Sequence, residues 1–211
     1  MALAGAAITL GGCRGEHARR EPTVAHDDAA LDANLREHIH TVVVLYAENR
    51  SFNNLFADFP GLAQPLKALE SPEYRQRDRD GSLLTTLPPI WSGLVPHPQI
   101  VDGQRYHIDE QAITGLPNQP FALRTPQGAP LPHGVITRDL IHRFYENQLQ
   151  INGGRNDGFV AWGNTGALTM GHYADSAANL QLWGLARQYT LCDNFFMGAF
   201  GGSFLNHQYL A

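Results

Sequence analysis

Thr41-Val42-Val43-Val44-Leu45 is an unbroken β-branched and apolar run, and it is followed closely by Glu48 and Asn49. A continuous run of this kind suits a strand buried on both faces, as in a parallel sheet covered by helices. The pattern predicts such a strand over residues 40–47. In open α/β sheets, ligands gather just beyond the carboxyl ends of the strands. Glu48 and Asn49 stand where an α/β enzyme would place polar catalytic groups, and both carry oxygen atoms that suit a hard cation. The alternative is purely structural: the strand ends and a helix begins, capped by Asn49 or Ser51.

The 211 residues are enough for one domain with a sizeable core. With 43% hydrophobic and 17% charged residues the composition is that of a globular chain. A net charge of -5 gives no reason to expect nucleic acid as a partner. Ten histidines beside fifteen Lys plus Arg is a high share, which favours metal or acid–base chemistry. The spacing of Cys13 and Cys192 demands no disulfide. Cys192 lies in an apolar segment and is expected to be a small buried residue. Residues 1–13 are small and apolar and resemble the end of an export signal. Leu10-Gly11-Gly12-Cys13 also resembles a bacterial lipoprotein box, in which Cys13 would carry the lipid anchor. The expected location is therefore exported: periplasmic, secreted or held at the membrane by that anchor.

Residues 14–35 are mostly polar and charged and read as a tether; with the leader they form a first segment, 1–35. A catalytic domain is expected over 36–211. Within it, residues 60–132 hold most of the prolines and little periodicity, which reads as a cap-like insertion at the mouth of a pocket. A helix or helical turn is expected over 51–56. Leu140, Ile141, Phe144, Tyr145 and Leu149 lie at helical spacing, and Gly153-Gly154 would end that helix. A further helix is expected over 176–188 and a short strand over 189–193.

Gly201-Gly202-Ser203 is the second candidate site. Glycines permit tight turns and close approach to a ligand. If a helix starts at Phe204, the serine hydroxyl and unpaired N–H groups converge on one point, where an anion is favoured. A serine placed there can attack phosphorus. The alternative is a glycine-rich loop with a serine cap.

Several ordered motifs carry a resemblance. Ala47-Glu48-Asn49-Arg50-Ser51-Phe52 is followed by Thr137-Arg138-Asp139-Leu140-Ile141-His142. Gln150-Ile151-Asn152-Gly153-Gly154, Thr169-Met170-Gly171-His172-Tyr173 and Gly201-Gly202-Ser203-Phe204-Leu205-Asn206-His207 come next. Together they resemble the bacterial phosphoesterase family, which contains phospholipases C and AcpA-type acid phosphatases; the wording is closer to the acid-phosphatase branch. The resemblance implies an α/β fold, an alkaline-phosphatase-like three-layer sandwich with a mostly parallel central sheet, incomplete in this chain. It implies one divalent metal ion, with Glu48, Asn49 and Ser203 as ligands and Ser203 as nucleophile. His142 would be a phosphate-pocket histidine, with His133 and His107 as alternatives, and Asn206 would help hold the phosphoryl group. The substrate would be a small phosphate ester or a lipid headgroup.

Two departures accompany the match. Asn53-Asn54 replaces an aspartate, and the later acidic segment that supplies further metal ligands is not encoded. The chain thus reads as the N-terminal portion of an acid phosphatase, expected to be inactive alone. The competing readings are a phospholipase C-type phosphodiesterase and a non-catalytic exported phosphate-binding protein.

Overall fold

A computed structural model describes residues 28–48, 50–63, 65, 75–110, 114–174 and 177–209. The chain divides into two units, 1–46 and 47–211. In the first unit, α1 (Asp28–His38) buries none of its residues. Of the expected tether, residues 14–27 lie outside the described residues and residues 28–35 are helical. Asp28 at the helix start and Arg36 and His38 at its end complement the helix dipole. The expected leader and Cys13 lie outside the described residues.

The run 40–47 is a second correction, because it forms no strand. Val42, Val43, Val44 and Leu45 are 64–88% exposed. A strand exists only through its ladder to a neighbour, and among the described residues no strand ladder or bridge involves this run.

The second unit mixes helix and strand, with small sheets. Its helices are α2 (Phe52–Phe56), α3 (Phe144–Ile151), α4 (Gln181–Gln188) and α5 (Ser203–Gln208). β1 (Val95–Val101) and β2 (Gln104–Ile108) form an antiparallel hairpin, with an irregularity between Val95 and Gln99 where Pro96 and Pro98 lie. β3 (Phe121–Ala122) and β4 (Gly171–His172) make a two-residue parallel pair. Among the described residues there is no larger sheet.

The proline-rich insertion is built into the core. Leu87, Ile90, Leu94, Val95, Ile108, Leu123 and Leu131 come from it and pack with Val135, Val160, Ala167, Leu168, Tyr173 and Trp183. Polar side chains supplement the short sheet ladders in holding it. Asn118 Oδ1 accepts from the Gln76 amide at 2.9 Å, while its Nδ2 donates to the carbonyls of Gln76 and Leu84, both at 2.8 Å. Gln76 Oε1 accepts from the Phe159 amide at 2.9 Å, tying the insertion to the segment after α3. Gly166 is required where that segment meets the prolines: its φ is +59°, and a Cβ would come within 1.9 Å of the Pro89 oxygen.

Other expected elements are shortened. The helix expected from Leu140 begins only at Phe144. Upstream, the Gln99 side chain pairs with both the amide and the carbonyl of Ile136, and Asn164 accepts from the Ile141 amide. Backbone groups taken in this way are not available to a helix. Asn152, in the left-handed region, ends α3 immediately before the glycines. The helix expected over 176–188 is a 3-10 turn, Ala177–Asn179, followed by α4; only Trp183 of α4 is buried. Residues 189–193 form no strand, and Cys192 is exposed rather than buried. That segment runs beside the surface, where Asp193 accepts from the Ala63 amide at 2.7 Å. Among the described residues no helix is long and apolar enough to cross a membrane.

Candidate active site

Ser203 is the first residue of α5, one position earlier than the sequence suggested, and is half-buried. Gly202 occupies the cap position, so no side chain closes the helix start. The first N–H groups of any helix lack intrahelical partners, and here they flank the serine.

The loop before Ser203 is held from two sides. From within α5, buried Asn206 accepts from the Ala199 amide at 3.1 Å. Its Nδ2 donates to the Ala199 carbonyl at 3.1 Å and to the Gly202 carbonyl at 3.3 Å. Asn206, expected on the phosphoryl group, is thus engaged with the backbone of the loop that presents the serine. From outside, Gln148 donates to the Phe200 carbonyl at 3.0 Å. A Cβ on Gly202 would lie 2.5 Å from the His142 carbonyl, so that close approach demands glycine.

The same contact locates His142. Its main chain abuts the glycine loop, while its ring is exposed and sits 3.5 Å from an Asp139 carboxylate oxygen. The two alternatives are elsewhere in the fold. His133 is exposed and offers its carbonyl to Arg50, and His107 is exposed on β2.

Glu48 is brought to α5. Its Oε1 lies 3.6 Å from Nε2 of His207. His207 is four residues after Ser203, so the two share one helix face. Sequence reasoning assigned His207 no role, although that spacing from the serine was visible. Asn49 lies outside the described residues.

Glu48 and Ser203 are hard oxygen donors of the type a divalent cation takes. Among the described residues, however, no three of His, Cys, Asp or Glu converge as a metal would need. The described donors therefore match a cation in kind but not in number.

Two buried groups behind the site have displaced proton affinities. Burial lowers the pKa of His172, opposed by Asp58, whose carboxylate is 3.5 Å from its Nε2. Burial raises the pKa of Tyr173, opposed by Arg50, whose guanidinium lies 4.5 Å over the ring. Arg50 and Asn54 thereby join the Glu48 segment to β4. Asn54 Nδ2 donates to the Gly171 carbonyl at 2.9 Å, and its own carbonyl accepts from the Tyr173 amide at 2.8 Å.

Against models of known families, residues 39–211 match the Phosphoesterase family. No curated protein and no solved structure matches the chain.

Proposed function

This chain belongs to the Phosphoesterase family, and on that premise we propose that it is the acid-phosphatase type of phosphate ester hydrolase, with Ser203 as nucleophile. The observation that carries the reading is the meeting of the first and last of the family motifs quoted from this chain. Glu48 and His207 are 3.6 Å apart, and His207 is one helical turn from Ser203. Ser203 Oγ attacks phosphorus as the ester P–O bond breaks, the alcohol leaves with the serine proton, and water then hydrolyses the phosphoserine to inorganic phosphate and free Ser203. Asn206 and Gly202 set the loop so that the hydroxyl is presented, and the unpaired N–H groups of α5 favour the anionic oxygens. His142 donates a hydrogen bond to the phosphate.

We further propose one divalent cation held by Glu48, Asn49 and Ser203, with further oxygen ligands. When bound, it would supply charge neutralisation at the attacking oxygen. On the same premise, the small sheets are read as part of an alkaline-phosphatase-like three-layer sandwich. The apolar leader motivates a proposal of export. A phospholipase C-type reading draws on a different observation: Phe195, Phe196, Phe200 and Phe204 are 74–82% exposed around the serine, which suits an apolar substrate.

The test is phosphoryl transfer to Ser203. Incubation with a chromogenic phosphomonoester at acid pH, in a divalent-metal series, should leave a phosphoryl adduct on Ser203 detectable by mass spectrometry. Ser203→Ala should abolish both adduct and turnover. Turnover by residues 1–211 alone should be slow, because the described metal donors are few. Undiminished turnover in Ser203→Ala overturns the reading, and cleavage of phosphatidylcholine in preference to the monoester favours the phospholipase.

A further inference from the structure

We propose that the cleft between residues 50–54 and 136–140 is a subsite for a second anionic group of the substrate. The class of compound taken is then a phosphate ester that carries a second anionic group. This rests on the phosphoesterase reading above and specifies its substrate.

The cleft encloses ≈ 280 Å³, and its polar lining includes Arg50, Ser51, Thr137, Arg138, Asp139 and Thr169. Both guanidiniums are fixed by neutral partners. Arg50 donates to the His133 carbonyl at 3.1 Å and stacks on Tyr173. Arg138 donates to the Trp91 carbonyl. Among the described residues neither is ion-paired with a carboxylate. A guanidinium held by a carbonyl is oriented without being neutralised, so its charge and remaining N–H groups are directed at a ligand. Asp139 is the one acid in the lining, and it is held 3.5 Å from His142. The hydroxyl of Thr137 adds a donor suited to phosphate or carboxylate oxygens, whereas that of Thr169 donates to the Gly166 carbonyl at 3.2 Å.

Chain connectivity joins the cleft to the serine loop. Two short segments each run from the cleft to the serine loop. One leads from Arg50 to Glu48, which reaches His207 on α5. The other leads from Asp139 to His142, whose carbonyl abuts Gly202. They are two and three residues long, and a chain spans at most ~3.6 Å per residue, so the Cα atoms at the ends of each link are at most roughly 7–11 Å apart. A substrate lying along them would place its scissile phosphate at Ser203 and a second anion between the arginines.

The test is calorimetric titration of the protein with a hexose bisphosphate and with the corresponding hexose monophosphate, at fixed low salt. Charge-assisted hydrogen bonds to two guanidiniums should make the bisphosphate bind at least about tenfold more tightly. Arg138→Gln should reduce that preference to about threefold or less, and Arg138→Lys should restore part of it. Since Arg138 also anchors Trp91, far-UV circular dichroism accompanies each variant, and Arg50→Gln provides an independent loss of preference. Equal affinity of the wild type for the two sugars overturns the subsite. So does an unchanged preference in folded Arg138→Gln, or failure to bind either sugar. The phosphoesterase reading fails separately: a bisphosphate preference without any phosphoryl adduct on Ser203 retains the subsite and removes the enzyme.

Discussion

The proline-rich middle and the aromatic tail have exchanged the roles their compositions suggest. Between residues 87 and 131, a stretch dense in proline contributes Leu87, Ile90, Leu94, Val95, Ile108, Leu123 and Leu131, all at most 3% exposed. Between residues 195 and 209, a stretch rich in phenylalanine leaves Phe195, Phe196, Phe200, Phe204 and Tyr209 64–82% exposed. Apolar content therefore does not decide what becomes core. The middle is closed by the hairpin and by the Gln76–Asn118 hydrogen bonds. The tail has a six-residue helix and the three bonds of Asn206, which order its backbone without covering its rings.

The sharpest way to break the contrast is a cavity in the middle. Ile90→Ala removes a fully buried side chain and should cost about 2–5 kcal/mol in urea unfolding. A loss below about 1 kcal/mol would mean that the middle is not the core. Next in size is Asn206→Ala, which breaks the three bonds to the loop and should cost about 1–3 kcal/mol. It should also expose the 199–202 backbone to faster amide exchange; unchanged exchange there would show the loop to be held by other means.

A smaller effect concerns pH. Burial depresses the pKa of His172 below the unfolded value of 6.5, despite the opposing pull of Asp58 and the Phe121 carbonyl; Arg124 adds to the depression. The unfolded chain then binds the proton first, so this contribution is intact above pH 6.5 and is lost as pH falls through the folded-state pKa. The urea midpoint should fall on acidification by less in His172→Gln than in the wild type. Equal pH dependence would remove His172 as the source. Smallest of all, Phe204→Ala in the tail should change stability by no more than about 0.5 kcal/mol. A loss of several kcal/mol would show that the ring is covered in solution.

The parts legible in the sequence were those set by local chemistry. Ser51 caps α2, accepting from the Asn54 amide at 3.2 Å, as a serine before an apolar turn predicts. The stop of α3 near Gly153 and the closeness of Gly202 to its neighbour also follow from residue type. The apolar run at 42–45 misled because a strand is a relation between two segments, and periodicity reports only one. The helix register at 140–143 misled because Gln99 and Asn164, distant in sequence, take over the backbone there. The convergence of Glu48 on α5 was readable only through the family motifs, since no local pattern records a contact spanning the length of a domain. The role of Asn206 was invisible for the opposite reason: all its partners lie within seven residues, yet an asparagine looks the same whether it faces a ligand or a loop.

The clasp formed by Asn54 has a consequence for the order of events on the ribosome. Its side chain closes on Gly171, 117 residues downstream. At a synthesis rate of about 5–20 residues per second, that partner emerges roughly 6–23 seconds after Asn54 itself. Throughout that interval the segment bearing Glu48 and Arg50 lacks its Gly171 and Tyr173 attachments, while the hairpin at Val95–Ile108 can already form. Maturation of the nascent protein is therefore expected to proceed from the middle outward, with the Glu48–Arg50 segment among the last pieces fastened down. A silent slow codon placed just before residue 171 would lengthen that exposed period without altering a single contact in the finished molecule.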